Sequence, residues 1–203
     1  MAIERSVELQ LAPELLKIFN PLLQEGVEVE IETGCSIKQL LTEQFGISAE
    51  FITGRITTLF LNSRAVDNVA TALVHDGAVL ALSGAMPGLV GATMRSGGFY
   101  AAMRGAMTYH EEGEIPVAKR GKIRLKLFNL LLEELGARIL RRGILLSTER
   151  LHTFLADQPE TFRPRGCWID GRKVPVEQLL VGEVRPEAGG LLKFKVSVKE
   201  EAS

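Results

Sequence analysis

Cysteine is scarce in this chain. Cys35 and Cys167 are the only two among 203 residues, and neither belongs to a CxxC pair or a Cys/His cluster. That argues against a structural zinc site and leaves both as buried thiols in a reducing setting. His75, His110 and His152 are scattered, with no Glu or second His at a metal-ligand spacing, so no metal and no cofactor are expected. Excess charge is missing too. With 24 Lys and Arg against 25 Asp and Glu, the formal charge is -1, which provides no field to gather a polyanion. The short run Arg138, Arg141 and Arg142 reads as the solvated flank of a helix or turn, so no nucleic-acid partner is expected. No 18-residue apolar run occurs, and MAIERSVELQ has charges at positions 4 and 5 in place of a signal-peptide core. The expectation is a cytoplasmic protein with no membrane partner.

What the sequence does have is alternation. Val7 to Leu11 alternate apolar and polar residues, and VEVEIE at 27–32 repeats the pattern with glutamate on every second position. These two segments read as an antiparallel pair with one wet face, joined through PELLKIFNPLLQEG as an elaborated hairpin connection. Ser36 followed by Gln39 is a capping box that starts a helix. Ile37, Leu40 and Leu41 share its inner face, and Gly46 supplies a left-handed stop. TTLFLNSRAV predicts a strand, a turn at Asn62 and Ser63, and a return. HDGAVLALSG predicts a turn at Asp76-Gly77 and a last apolar strand.

The second half repeats this grammar. Ile123, Leu125 and Leu127 alternate with Arg124, Lys126 and Phe128, and GILLSTERLHTFLAD gives a strand, a Ser cap and a helix with Leu151, Phe154 and Leu155 inward. CWIDGRKV corresponds to LFLNSRAV, with an Asp170-Gly171 turn. LLKFKVSVKE alternates Leu192, Phe194, Val196 and Val198 with lysines, and is matched to the last strand of the first half. Those lysines read as protection of an open sheet edge. Gly189-Gly190 reads as a turn, and the polar stretch from Tyr109 to Lys122 as the boundary between the halves. The predicted fold class is α+β, with one domain over 1–88, a connecting segment over 89–121 and a second domain over 122–203.

On these segments the chain resembles the MoaD/ThiS family of sulfur carriers, small β-grasp (ubiquitin-like) proteins of molybdopterin and thiamine synthesis. The carrying residues are VEVEIETGCSIKQLL, LFLNSRAVDNVATALVHDGAVLALSG and IRLKLFNLLLEELG. The resemblance implies two β-grasp domains in tandem. It also implies an E1-like activating or cofactor-synthesis enzyme as partner. In the family the last strand runs into a Gly-Gly tail whose terminal carboxylate is adenylated and converted to a thiocarboxylate. Here the chain departs from that pattern. The expected position falls at Gly88-Leu89, a Gly97-Gly98 pair follows slightly later, and KVSVKEEAS ends the sequence without glycine. The resemblance therefore specifies scaffold more than activity.

One segment stands apart from the rest. GAMPGLVGATMRSGGFYAAMRGAMTY, from Gly84 to Tyr109, holds six of the 20 glycines and four of the five methionines. Three readings remain open. It is a close-packed structural crossover, or a surface for a partner or a second copy of the chain around Met94, Phe99 and Tyr100. Alternatively, backbone N–H groups at Ser96, Gly97 and Gly98 bind an anion with help from Arg95 or Arg104. A homodimer follows if the segment covers a sheet edge or exchanges between chains. The spacing is neither a Walker loop nor GxGxxG. Glu111-Glu112 and Glu133-Glu134 read as solvated faces, and no catalytic residue is assigned. The expected function is a non-enzymatic MoaD/ThiS-like binding or assembly module. The alternatives are a sulfur-carrier precursor cleaved near Gly88 or Gly98, and a cofactor- or anion-binding protein using the glycine-rich segment.

Overall fold

The computed structural model describes residues 3–110, 118–159, 161–180 and 190–198, and it is a mixed α+β structure. The first strand, β1 (Ile3–Leu11), buries Val7, Leu9 and Leu11 and turns Ser6, Glu8 and Gln10 outward. No hairpin follows. A 3-10 helix (Pro13–Phe19) and α1 (Asn20–Glu25) bury Phe19, Leu22 and Leu23, so this apolar stretch is a packed helical crossover. Gly26, at φ +106°, then turns the chain into β2 (Val27–Glu32).

The capping box forms as the spacing predicts, with Gln39 N–H donating to Ser36 Oγ and Ser36 N–H donating to Gln39 Oε1. It opens α2 (Ile37–Gln39), which continues as a π-helical turn over Leu40–Gln44. Ile37, Leu40 and Leu41 are fully buried, and Gly46 takes a left-handed φ of 64°. A further helix, α3 (Ala49–Arg55), outside the expected elements, is N-capped by Ser48. The turn at Asn62 and Ser63 joins β3 (Thr58–Leu61) to β4 (Arg64–Ala65), and β5 (Val79–Ser83) follows Asp76-Gly77.

After α4 (Gly88–Met94) and a 3-10 segment over Ala101–Met107 that is kinked at Gly105 (φ 46°) comes β6 (Arg120–Phe128), with Ile123, Leu125 and Leu127 buried. The amphipathic α5 (Leu131–Arg142) leaves Arg138, Arg141 and Arg142 exposed and ends at Gly143, again at φ +106°. Then follow β7 (Ile144–Ser147), α6 (Thr148–Ala156) capped by Ser147, β8 (Gly166–Ile169), β9 (Arg172–Val174), α7 (Val176–Leu180) and β10 (Leu191–Val198). Phe154 is half-buried and stacks at 5.0 Å on Phe19, which also meets Phe194 at 5.8 Å.

The chain forms two compact units that cut across the sequence boundaries at 88 and 122. One is continuous, Leu22–Leu135. The other combines Met1–Pro21 with Gly136–Ser203. In the continuous unit the strands run β4-β3-β5-β6-β2, with β5 parallel to β6 and the other neighbours antiparallel. In the split unit they run β9-β8-β1-β10-β7, with β1 parallel to β10 and the rest antiparallel. The two arrangements are the same, strand for strand.

Local details follow that equivalence. Asn62 Oδ1 accepts from the N–H of Val79 at the start of β5, and Asp170 Oδ1 accepts from Ser6 N–H in β1. Gly26 and Gly143 each precede the equivalent strand, where an added Cβ would meet the stems of Arg124 and Lys126 in one case and of Lys193 and Lys195 in the other.

Three expectations are corrected here. β1 does not pair with β2; it lies between β10 and β8, while β2 takes β6. The cause is visible in the outward residues. In the β2/β6 register, Glu28, Glu30 and Glu32 oppose Arg124, Lys122 and Arg120, whereas β1 would have brought Glu8 to the same acidic row. Opposite charges across strands stabilise a pairing and like charges weaken it, by about 0.2–1 kcal/mol per pair. Secondly, β10 corresponds to β6, not to β5. Thirdly, its lysines guard no edge, because β10 has β1 on one side, where Lys195 opposes Glu8, and β7 on the other. The readings at Glu111-Glu112, at Gly189 and over 199–203 lie outside the described residues, as does most of the expected boundary between Tyr109 and Lys122.

Candidate functional site

The segment from Gly84 to Tyr109 leaves the end of β5 and is tied to the continuous unit along its length. Thr57 Oγ1 donates to Gly84 O at 3.0 Å, and Asn129 Nδ2 donates to Ala85 O and Ser83 Oγ. Beyond α4, Ser96 N–H reaches Thr57 O at 3.0 Å and Ser96 Oγ reaches Val66 O at 2.6 Å. At the far end Thr108 makes a parallel bridge with Ala65 while Tyr109 N–H donates to Ala65 O at 2.8 Å, so the segment's own backbone covers the β4 edge.

A buried ion pair fixes the middle of the segment. Arg104 is only 3% exposed, its guanidinium Nη2 pairs with Asp67 Oδ1, and its Nη1 donates to Met94 O at 2.9 Å. Gly97 N–H donates to the same Asp67 oxygen at 3.0 Å. Two of the groups singled out for anion binding, Gly97 and Arg104, thus converge on a carboxylate that the protein supplies itself. Arg95 points away into solvent, and Gly98 N–H turns back to Arg95 O. Asp67 was not legible as part of this site. The only available signal was that a buried arginine requires an acid, and burial of Arg104 could not be read from its neighbours.

Against this anchored backbone, the large apolar side chains face outward. Phe99 is 92% exposed, Met103 73% and Leu89 72%; Val90, Met107 and Tyr100 are also exposed, with Phe99 and Tyr100 in an edge-to-face contact at 5.1 Å. The short helix α4 packs against the 3-10 segment that follows it. Met94 is half-buried. Of the processing candidates, Gly88 opens α4 at φ 76°, and Gly97, at φ 62°, lies with Gly98 inside the turn tied to Asp67.

The remaining singled-out residues disperse. Cys35 is half-buried, its thiol donating to Glu32 O and accepting from Gln44 Nε2. Desolvation raises its pKa. Cys167 is buried, which pushes its thiol up to about 11. Glu134 is not a purely solvated acid, since it pairs with Arg55. Trp168 is half-buried, its ring lying where a side chain on Gly166 would go. Among the described residues no three His, Cys, Asp or Glu side chains are grouped to hold a metal, and no helix is long and apolar enough to cross a membrane. No protein-family model, curated protein or solved structure matches the chain.

Proposed function

We propose that this chain is a non-enzymatic binding or assembly module on a doubled β-grasp scaffold of the MoaD/ThiS kind, and that it docks a protein partner through the outward apolar residues of its 84–109 segment. One observation carries the proposal. Phe99, Met103, Leu89 and Val90 are exposed on a segment whose backbone is held by the Arg104–Asp67 pair and by Ser96. Large apolar side chains exposed together on an ordered backbone mark a surface that a partner takes out of water, and fixing the backbone in advance lowers the ordering cost of binding.

The β-grasp reading rests on the strand arrangement. In each unit a strand followed by a capped helix lies antiparallel to a central strand, which runs parallel to the strand beside it. By the family resemblance, the partner is an E1-like activating or cofactor-synthesis enzyme. A photo-crosslinking residue at position 99 or 103, expressed in the native host, should trap one discrete adduct. The same residue at exposed Lys38 should not. Adducts common to all three positions, or none at 99 and 103, would refute the docking surface.

The precursor reading is weakened by β6. Cleavage after Gly88 or Gly98 would place β6, the strand between β5 and β2, on the other fragment, so a released carrier would lack the centre of its sheet. Mass spectrometry of protein from its native host tests this, and a glycine-ended fragment would revive it.

A further inference from the structure

The outer face of the continuous unit's sheet carries a second feature, independent of the exposed segment. The strand registers set Phe60, Ala81 and Lys126 side by side across β3, β5 and β6, and place Thr58, Ser83 and Phe128 in the row beyond. Ala81 is the smallest member of its row, so a trough opens between the Phe60 ring and the Lys126 stem. Phe128 and the Met86-Pro87 stretch wall one end. The cavity measures about 550 Å³, within the range of roughly 300–1,000 Å³ usual for small-ligand sites.

Its single charge is anomalous. Of the cations on the outer face of β6, Arg120, Lys122 and Arg124 each oppose a glutamate of β2. Lys126 lies beside Gly26, whose missing side chain leaves no acid there, and has no ion-pair or hydrogen-bond partner among the described residues. No lining residue is acidic. Ser83 and Asn129, the polar groups at the closed end, are engaged with each other and with Ala85 O.

From this geometry we infer that the trough binds a small amphipathic monoanion, an aryl or medium-chain aliphatic carboxylate. Its apolar body lies over Ala81 between Phe60 and Phe128, and its carboxylate meets the Lys126 ammonium. An apolar floor with one uncompensated cation at its side selects that combination: an uncharged chain leaves Lys126 unsatisfied, and a dianion finds no second cation in the lining.

The test uses the full chain and octanoate, with octan-1-ol as the uncharged counterpart, followed by amide chemical shifts and calorimetry. Octanoate should shift Phe60, Ala81, Lys126 and Phe128. Lys126→Met should weaken octanoate about tenfold, as expected for loss of a charge-assisted contact, and leave octan-1-ol unchanged. Ala81→Phe should abolish both by filling the trough, and Ala81→Leu serves if the larger residue does not fold. Phe99→Ser, on the exposed segment, should leave octanoate binding intact. Millimolar octanoate that leaves Ala81 unmoved would overturn the inference. So would binding that survives Lys126→Met or trough-filling undiminished in a folded variant, or binding that disappears with Phe99.

Discussion

Glu28 stands directly across from Arg124 in the antiparallel register of β2 and β6, and its carboxylate accepts a 2.6 Å hydrogen bond from Nζ of Lys122, one outward position along the strand. Reversing both cations, Lys122→Glu with Arg124→Glu, should lower stability by about 1–2 kcal/mol, the range for two cross-strand pairs turned repulsive. Adding Glu28→Lys and Glu30→Lys should recover most of the loss. Urea denaturation of the double and quadruple variants measures both. A quadruple variant no better than the double would mean that side-chain charge does not set this pairing.

The Arg104–Asp67 pair holds the glycine-rich segment. Asp67→Ala removes the acid from a buried guanidinium and should cost about 1–3 kcal/mol, less than a fully buried pair because Asp67 is partly solvated. The loss should be local. Hydrogen exchange at Ser96 and Gly97 should accelerate while Leu80, Leu82 and Leu125 in the sheet stay protected.

Gly26 and Gly143 occupy equivalent positions at φ +106°, each hemmed by the stems of two basic side chains on the neighbouring strand. Alanine at either should cost about 1–3 kcal/mol through backbone strain. The two thermal-shift losses should be similar if the units are repeats of one design. Alanine at Gly171, in open space, tests the φ effect alone, because its φ is +77° with nothing near the added carbon.

Burial holds the Cys167 thiol protonated, raising its pKa from 9.0 to about 11. A group with a raised folded pKa contributes stability that is complete below its unfolded value and is lost as pH rises through the folded one. Compared with Cys167→Ala, the wild-type protein should therefore lose its stability advantage progressively between pH 9 and 11. Mass-resolved alkylation at pH 8 should leave Cys167 unmodified until the protein unfolds.

Much of the local structure was legible because it is fixed by neighbours within a few residues. The Ser36–Gln39 capping box, the Asn62-Ser63 and Asp170-Gly171 turns, and the inward Ile123, Leu125 and Leu127 all appear where the pattern places them. Strand partnership was not legible in the same way. Alternation says which face of a strand is buried but not which strand lies beside it, and β1, β6 and β10 present nearly interchangeable inward rows. The candidate surfaces were read unevenly for the same reason. Phe99 and Arg104 announced themselves by composition, whereas Asp67 reaches Arg104 and Gly97 from a distant bend, and the Ala81 trough exists only through the alignment of three strands.

The sequence by itself determined the α+β class, the doubled strand-and-helix grammar and the unusual character of residues 84–109, because these depend on periodicity, capping and composition. Only the tertiary structure decided that β1 joins the split unit and β6 completes the continuous one, cutting across the boundaries that sequence order suggests. The physical reason is that a strand's partner is chosen by long-range complementarity of outward charge. Glutamates on β2 and Lys195 on β10 face opposite charges on strands far away in the chain, and no local window contains both members of such a pair.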